Sequence, residues 1–119
     1  MTTPTQDTFL TNIVTLMDSV YSKPGFSVNI DHNVNISSGP TEVIAKLRQA
    51  KLSVNLNLFK DGVYLTENSD YEELGNLWKT LNPNNLWGGD IGYGCVFAMA
   101  PSEDVKEIWD DPDTEVSIV

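Results

Sequence analysis

Few side chains in this sequence have the chemistry of a nucleophile and its base. Cys95 is the only cysteine and His32 the only histidine, so they form the single thiol–imidazole pair available for covalent catalysis. The residues around Cys95 predict a buried strand, not the helix N-terminus that activates a thiol. A small core thiol and a strand histidine are the simpler interpretation. We therefore expect no catalytic residues and no enzymatic activity.

Candidate metal ligands are one cysteine, one histidine and many carboxylates. Transition-metal sites usually take several His or Cys ligands, which this sequence does not supply. Asp110, Asp111, Asp113 and Glu115 resemble part of a calcium loop, but Pro112 interrupts them and the glycine and glutamate of an EF-hand are not at the required positions. We expect no metal and no cofactor.

A glycine-rich segment at residues 88–94 invites comparison with phosphate-binding loops. Such loops follow a strand and open a helix, whereas this segment follows a predicted helix, precedes a strand and contains Asp90. A flexible connection with glycines at positive φ is the better interpretation. Trp87 and Tyr93 flank the segment, and aromatic side chains on loops commonly contact partner proteins.

The net charge of −10 is distributed very unevenly along the chain. Residues 1–60 hold five basic and four acidic side chains, whereas residues 61–119 hold thirteen acids against Lys79 and Lys106. Seven of those acids lie in residues 103–115, which contain one lysine. Such a field repels nucleic-acid phosphates and anionic membranes. The charge pattern therefore favours a basic protein as the partner.

Apolar residues at helical spacing predict four helices. The first helix takes Thr3 as its N-cap, and a capping box at residues 69–72 opens the third. Proline favours the first turn of a helix and marks the start of the others. The predicted starts are Pro4, Pro40, Ser69 and Pro101.

Alternating apolar and polar residues predict the strands. Residues 26–37 form either one strand or a hairpin that turns at His32, and the sequence leaves this choice open. An Asp61-Gly62 turn joins strand 52–58 to a returning strand at 63–66. Residues 95–100 look buried, and residues 115–119 form a last, edge strand.

This order of elements predicts the fold class. Hairpins combined with helical connections indicate a single α+β domain over residues 1–119. We expect a mainly antiparallel sheet of about five or six strands, with three to four helices packed largely on one face. The unpaired thiol and the absence of a secretory signal indicate a cytoplasmic location, in the host cell if the chain is viral.

The acidic half supplies the functional hypothesis. We expect a small non-enzymatic inhibitor that docks on a basic partner, which is a nucleic-acid-handling protein because spaced carboxylates imitate a phosphate array. Phage inhibitors of host defence offer a class analogy. The expected partner-binding residues are Glu103, Asp104, Glu107, Trp109, Asp110, Asp111, Asp113, Asp90, Trp87 and Tyr93.

Two alternatives remain open from the sequence. The first is a toxin-immunity protein that blocks a basic nuclease, which the same charge pattern would suit. The second is a small-molecule or nucleotide-binding domain with a pocket near Trp87, Tyr93, Cys95 and His32. No feature fixes the oligomeric state, although a β-branched edge strand at residues 115–119 is able to recruit a second copy.

Overall fold

The computed structural model describes residues 4–31, 40–103 and 105–106. In chain order the elements are α1 (Pro4–Tyr21), β1 (Phe26–Asp31), α2 (Pro40–Gln49), β2 (Ser53–Lys60), β3 (Val63–Tyr64), α3 (Glu72–Leu81), β4 (Asn85–Trp87) and β5 (Val96–Met99). Two 3-10 turns, at Asn68–Tyr71 and Gly88–Ile91, precede α3 and follow β4. The predicted α+β class is confirmed.

The strands form one five-stranded sheet in the order β1-β2-β5-β4, with β3 paired to β2. Every pairing is antiparallel, as the sequence predicts. The central strand β2 shows the expected alternation, since Val54, Leu56 and Leu58 are buried while Asn55 and Asn57 are only partly covered. A single antiparallel sheet with one strongly apolar face therefore organises the domain.

Helices α1 and α3 contact each other and lie against β1 and β4, respectively, whereas α2 lies against β2 and β5. Trp78 of α3 is completely buried, and its ring meets Phe9 of α1 and Phe97 of β5 edge-on at centroid distances of 5.6 and 6.0 Å. Its indole N–H donates to the carbonyls of Leu86 and Ala98, both at 2.9 Å. One side chain thus joins two helices to two strands.

The Asp-Gly hairpin is confirmed. Asp61 and Gly62 take φ values of 51° and 81°, the left-handed conformation that a two-residue hairpin turn requires. The returning strand β3 is shorter than predicted, because it ends at Tyr64 and not at residue 66. The Leu65 N–H still donates to the Leu58 carbonyl at 2.9 Å, so the chain leaves the sheet just beyond that point.

Two local predictions are corrected by the structure. The entry to α3 begins at Glu67, whose backbone N–H donates to the Asp70 carboxylate at 3.1 Å, and not with a capping box opened by Ser69. Residues 85–87 form β4, a strand that the sequence does not predict. Three residues are too few to show an alternation, and pairing with β5 decides their conformation.

Other predictions fall outside the described residues. These are the N-cap at Thr3, the continuation of the first strand beyond Asp31 with the placement of His32, the helix beyond Lys106, and the edge strand at residues 115–119. Within the described part of the chain, no helix is both long and apolar enough to cross a membrane.

Gly75 of α3 provides a test of the packing. A Cβ at this position would lie 2.1 Å from Cδ2 of Trp87, in the middle of the indole ring. Helix propensity alone predicts that Gly75→Ala stabilises the protein by about 1 kcal/mol. We expect the overlap to reverse the sign, with a loss of about 2 kcal/mol in the free energy of unfolding measured in urea.

Asn76→Ala serves as the matched control, because Asn76 is the exposed neighbour on the same helix. It should change the unfolding free energy by less than about 0.5 kcal/mol. A Gly75→Ala protein as stable as Asn76→Ala would contradict the placement of Trp87 against α3.

Candidate functional site

Four exposed carboxylates mark the entry to α3, and we call them the α3 acidic cluster: Glu67, Asp70, Glu72 and Glu73. The helix dipole favours negative charge at this end. Lys23 forms an ion pair with Glu73, with Nζ 2.6 Å from Oε1, but the glutamate side chain stays largely in solvent. The cluster therefore presents an acidic surface at the entry to α3.

Asp90, one of the expected partner-binding residues, forms an ion pair within the fold. Its carboxylate lies 3.2 and 3.3 Å from Nζ of Lys79, which also sits 5.5 Å from the centroid of the Trp87 ring. Glu103 is exposed, with its carboxylate 3.9 Å from Nζ of Lys106. Of these two predicted contact residues, Glu103 is thus the more open to a partner.

Six of the predicted partner-binding residues lie outside the described part of the chain: Asp104, Glu107, Trp109, Asp110, Asp111 and Asp113. Their role stays a prediction that the sequence alone supports.

Trp87 requires a correction. The sequence analysis predicts that Trp87 flanks a flexible loop and contacts a partner protein. The structure instead buries it in β4, with 5% of its surface exposed. Its indole N–H donates to the Gly94 carbonyl at 2.7 Å. The ring lies where side chains at Gly75 and Gly89 would collide with it, so Trp87 is a core residue.

The glycine-rich segment makes specific contacts with the rest of the fold. Gly92 has the positive φ that the sequence suggests, at 91°. Gly88 is required for another reason, since a Cβ there would lie 2.2 Å from the Tyr93 carbonyl oxygen. The Asn68 side chain donates to the Gly89 carbonyl at 3.1 Å and ties the segment to the entry of α3.

Tyr93 and Cys95, two of the four residues named for a small-molecule pocket, line one surface cavity of about 170 Å³. Tyr64, Glu67 and Tyr71 also line it, whereas Trp87 does not. Glu67 contributes a carboxylate, and no lysine or arginine belongs to the described lining. A nucleotide's phosphates would meet repulsion here, so the cavity suits an uncharged ligand better.

Tyr71 is the anchor behind this cavity. Its hydroxyl donates to the Leu65 carbonyl at 2.7 Å and accepts from the Leu58 N–H at 3.1 Å. Burial raises the pKa of the phenol to about 12, and nearby Tyr64, Cys95 and Asp70 add to the increase while the Leu58 hydrogen bond opposes it. Both bonds use the hydroxyl within the fold, so Tyr71 has a structural role.

Among the residues that the structure describes, no group of three or more His, Cys, Asp or Glu side chains is arranged to hold a metal ion. Comparisons with models of known protein families, with curated proteins and with solved structures found no match to this chain. The function must therefore be argued from the charges and cavities of this molecule.

A group of residues that the sequence does not single out surrounds a second cavity. Arg48, Lys51 and Ser53 line it together with apolar residues of α1 and β2. One feature of the sequence could have indicated this site: three basic residues, Lys46, Arg48 and Lys51, lie within six positions of a strongly acidic chain. Only the fold shows which of them reach the cavity.

Tyr71→Phe tests the hydroxyl's two hydrogen bonds and its raised pKa together. At neutral pH we expect the variant to lose about 1–2 kcal/mol in the free energy of unfolding, because the Leu58 N–H and the Leu65 carbonyl lose their partner. A folded-state pKa above the usual value stabilises the protein fully below about pH 10, and this stabilisation disappears as the pH rises through about 12.

The stability difference between the native protein and Tyr71→Phe should therefore shrink across this alkaline range, as measured by urea unfolding at each pH. Tyr64→Phe is the control, since the Tyr64 hydroxyl is exposed and makes only a long contact of 3.4 Å with Asn57. A difference that stays constant with pH would show that Tyr71 ionises normally.

Proposed function

We propose that this chain is a small non-enzymatic binding protein whose acidic surface docks on a basic groove of a partner protein. The main support is the uneven distribution of charge along the chain. Residues 61–119 hold thirteen acids and two lysines, whereas the first half is nearly neutral. A fold does not need such an excess, and dense like charges oppose compaction. A function that uses this electrostatic field would account for the excess of acids.

The described part of the acidic half supports this proposal through its rigidity. The α3 acidic cluster spans the 3-10 turn and the first turn of α3. Trp78 fixes this helix to β4 and β5, and Tyr71 fixes the 3-10 turn to β2. Carboxylates on a fixed scaffold lose little conformational entropy when they meet a partner. The surface is therefore suited to rapid electrostatic association with a basic groove.

A groove built for nucleic acid is the proposed target. Arrays of carboxylates present negative charge at intervals, as the phosphate backbone does, and a basic groove attracts both. The segment from Glu103 to Glu115 has the highest density of acids and would supply most of the contact, together with the α3 acidic cluster. Inhibition by occupation of this groove is the proposed activity.

The test is affinity capture from a bacterial lysate with the native protein and with Asp110→Lys/Asp111→Lys. We expect the native protein to retain a basic nucleic-acid-binding protein, with affinity falling at least about tenfold between about 50 and 200 mM salt. The double reversal should abolish retention. Added duplex DNA should release the partner, because both would occupy the same groove.

The matched control is Asp7→Lys/Asp18→Lys, which changes the net charge equally but on exposed positions of α1. It should leave retention largely intact. Equal loss in both variants would indicate a nonspecific charge effect, and unchanged binding after reversal of Asp110 and Asp111 would refute the proposed surface. If the retained partner is a nuclease and this protein blocks its activity, the result would favour the alternative of a toxin-immunity protein.

A second candidate function is favoured by the cavity at Tyr93 and Cys95. Its tyrosines and its volume of about 170 Å³ suit a small uncharged aromatic ligand. Titration with nucleobases, compared with the matching nucleotides, would separate this candidate from the docking proposal. Binding of the nucleobase alone is the expected result if the cavity is used.

A further inference from the structure

The second cavity lies where the first turns of α1, the end of α2 and the start of β2 meet. Its volume is about 150 Å³, and it is lined mainly by apolar surface. Phe9, Leu10 and Val54 form the apolar walls, and Leu10 is about half exposed at the surface. The cavity is thus open on one side and hydrophobic within.

Ser53 supplies a polar group that the fold does not use. Its residue is 2% exposed, and its hydroxyl oxygen is buried without a hydrogen-bond partner. A buried hydroxyl normally finds a partner, because leaving it unpaired costs free energy. Since Ser53 lines the cavity, a ligand that accepts a hydrogen bond would complete it.

Two cations line the same cavity. Arg48 and Lys51 are two of only seven basic residues in a chain of net charge −10. A guanidinium nitrogen of Arg48 donates to the Asn55 amide oxygen, which fixes the orientation of the group. Gln6 is likewise fixed, because its amide donates to the Ala50 carbonyl at 2.8 Å. The polar side of the cavity therefore includes two basic side chains, and hydrogen bonds hold Arg48 and Gln6 in place.

Lys51 occupies a position where glycine would be easier to accommodate. It follows the end of α2 with φ at 62°, the left-handed conformation that commonly ends a helix with glycine. The Lys51 N–H bonds the Arg48 carbonyl at 3.0 Å and the Leu52 N–H bonds the Leu47 carbonyl at 2.8 Å, which defines a Schellman motif. A lysine here carries a conformational cost that a glycine would avoid.

We propose that this cavity binds a small monocarboxylate with a short apolar body. The carboxylate would accept hydrogen bonds from Ser53 and the two cations, while the body packs against Phe9 and Val54. The volume lies below the range of about 300–1,000 Å³ that is typical for drug-sized ligands, so the ligand has few atoms. This site is separate from the acidic docking surface and does not depend on it.

The test is titration of the full-length protein with hexanoate, followed by amide chemical shifts in NMR. We expect saturable shifts that centre on the residues around Phe9, Arg48 and Ser53. Lys51→Gly should weaken binding by about tenfold, the loss expected for one charge-assisted hydrogen bond. The variant relieves the left-handed lysine, so its fold should be at least as stable, and unfolding cannot explain the loss.

Two further variants test which side chains bind hexanoate. Ser53→Ala should also weaken hexanoate binding, and it should not lower stability because the hydroxyl has no partner to lose. Lys46→Gln removes one positive charge from the same helix without touching the cavity, and it should bind hexanoate normally.

Hexanamide, which has the same shape without the charge, should bind more weakly than hexanoate. Equal binding of the two would overturn the anion site and leave only an apolar cavity. The absence of saturable shifts up to about 20 mM hexanoate would refute the site altogether, as would equal weakening by Lys46→Gln and Lys51→Gly.

Discussion

The buried indole of Trp78 is the contact on which the rest of this structure depends. Its single N–H is shared between the carbonyls of β4 and β5, and its ring meets aromatic rings from α1 and β5. Aromatic pairs and buried hydrogen bonds each contribute to stability, and here they act through one side chain. Helix α3 therefore holds a fixed position over the sheet, and with it the entry of the helix and the Gly88–Ile91 turn.

This anchoring links the core to the acidic surface. Lys79, one turn of α3 after Gly75, reaches both the Trp87 ring and the Asp90 carboxylate, so one acid of the second half is neutralised locally. The carboxylates at the entry to α3 remain exposed, two of them before the helix and two in its first turn. A charged surface on such a support is a stronger candidate for specific docking than the same charges on a free chain.

The basic residues at the second cavity, in the nearly neutral first half of the chain, are also placed by local structure. Helix α2 ends in basic residues, which its dipole favours. The Schellman turn then returns the chain so that Lys51 and Ser53 border the space beside Phe9. The local cost of a left-handed lysine and an unpaired hydroxyl is compatible with a binding role, because functional sites commonly retain such features.

The sequence by itself determined the α+β class, the antiparallel sheet, the Asp-Gly turn and the starts of α2 and β1, because these follow from periodicity, proline and turn chemistry close in the chain. It also determined the charge segregation, which is a property of composition. Only the tertiary structure decided that Trp87 is buried, that residues 85–87 are a strand, and that Arg48, Lys51 and Ser53 meet Phe9. These features depend on contacts between distant segments, and local patterns carry no information about which distant surfaces will meet.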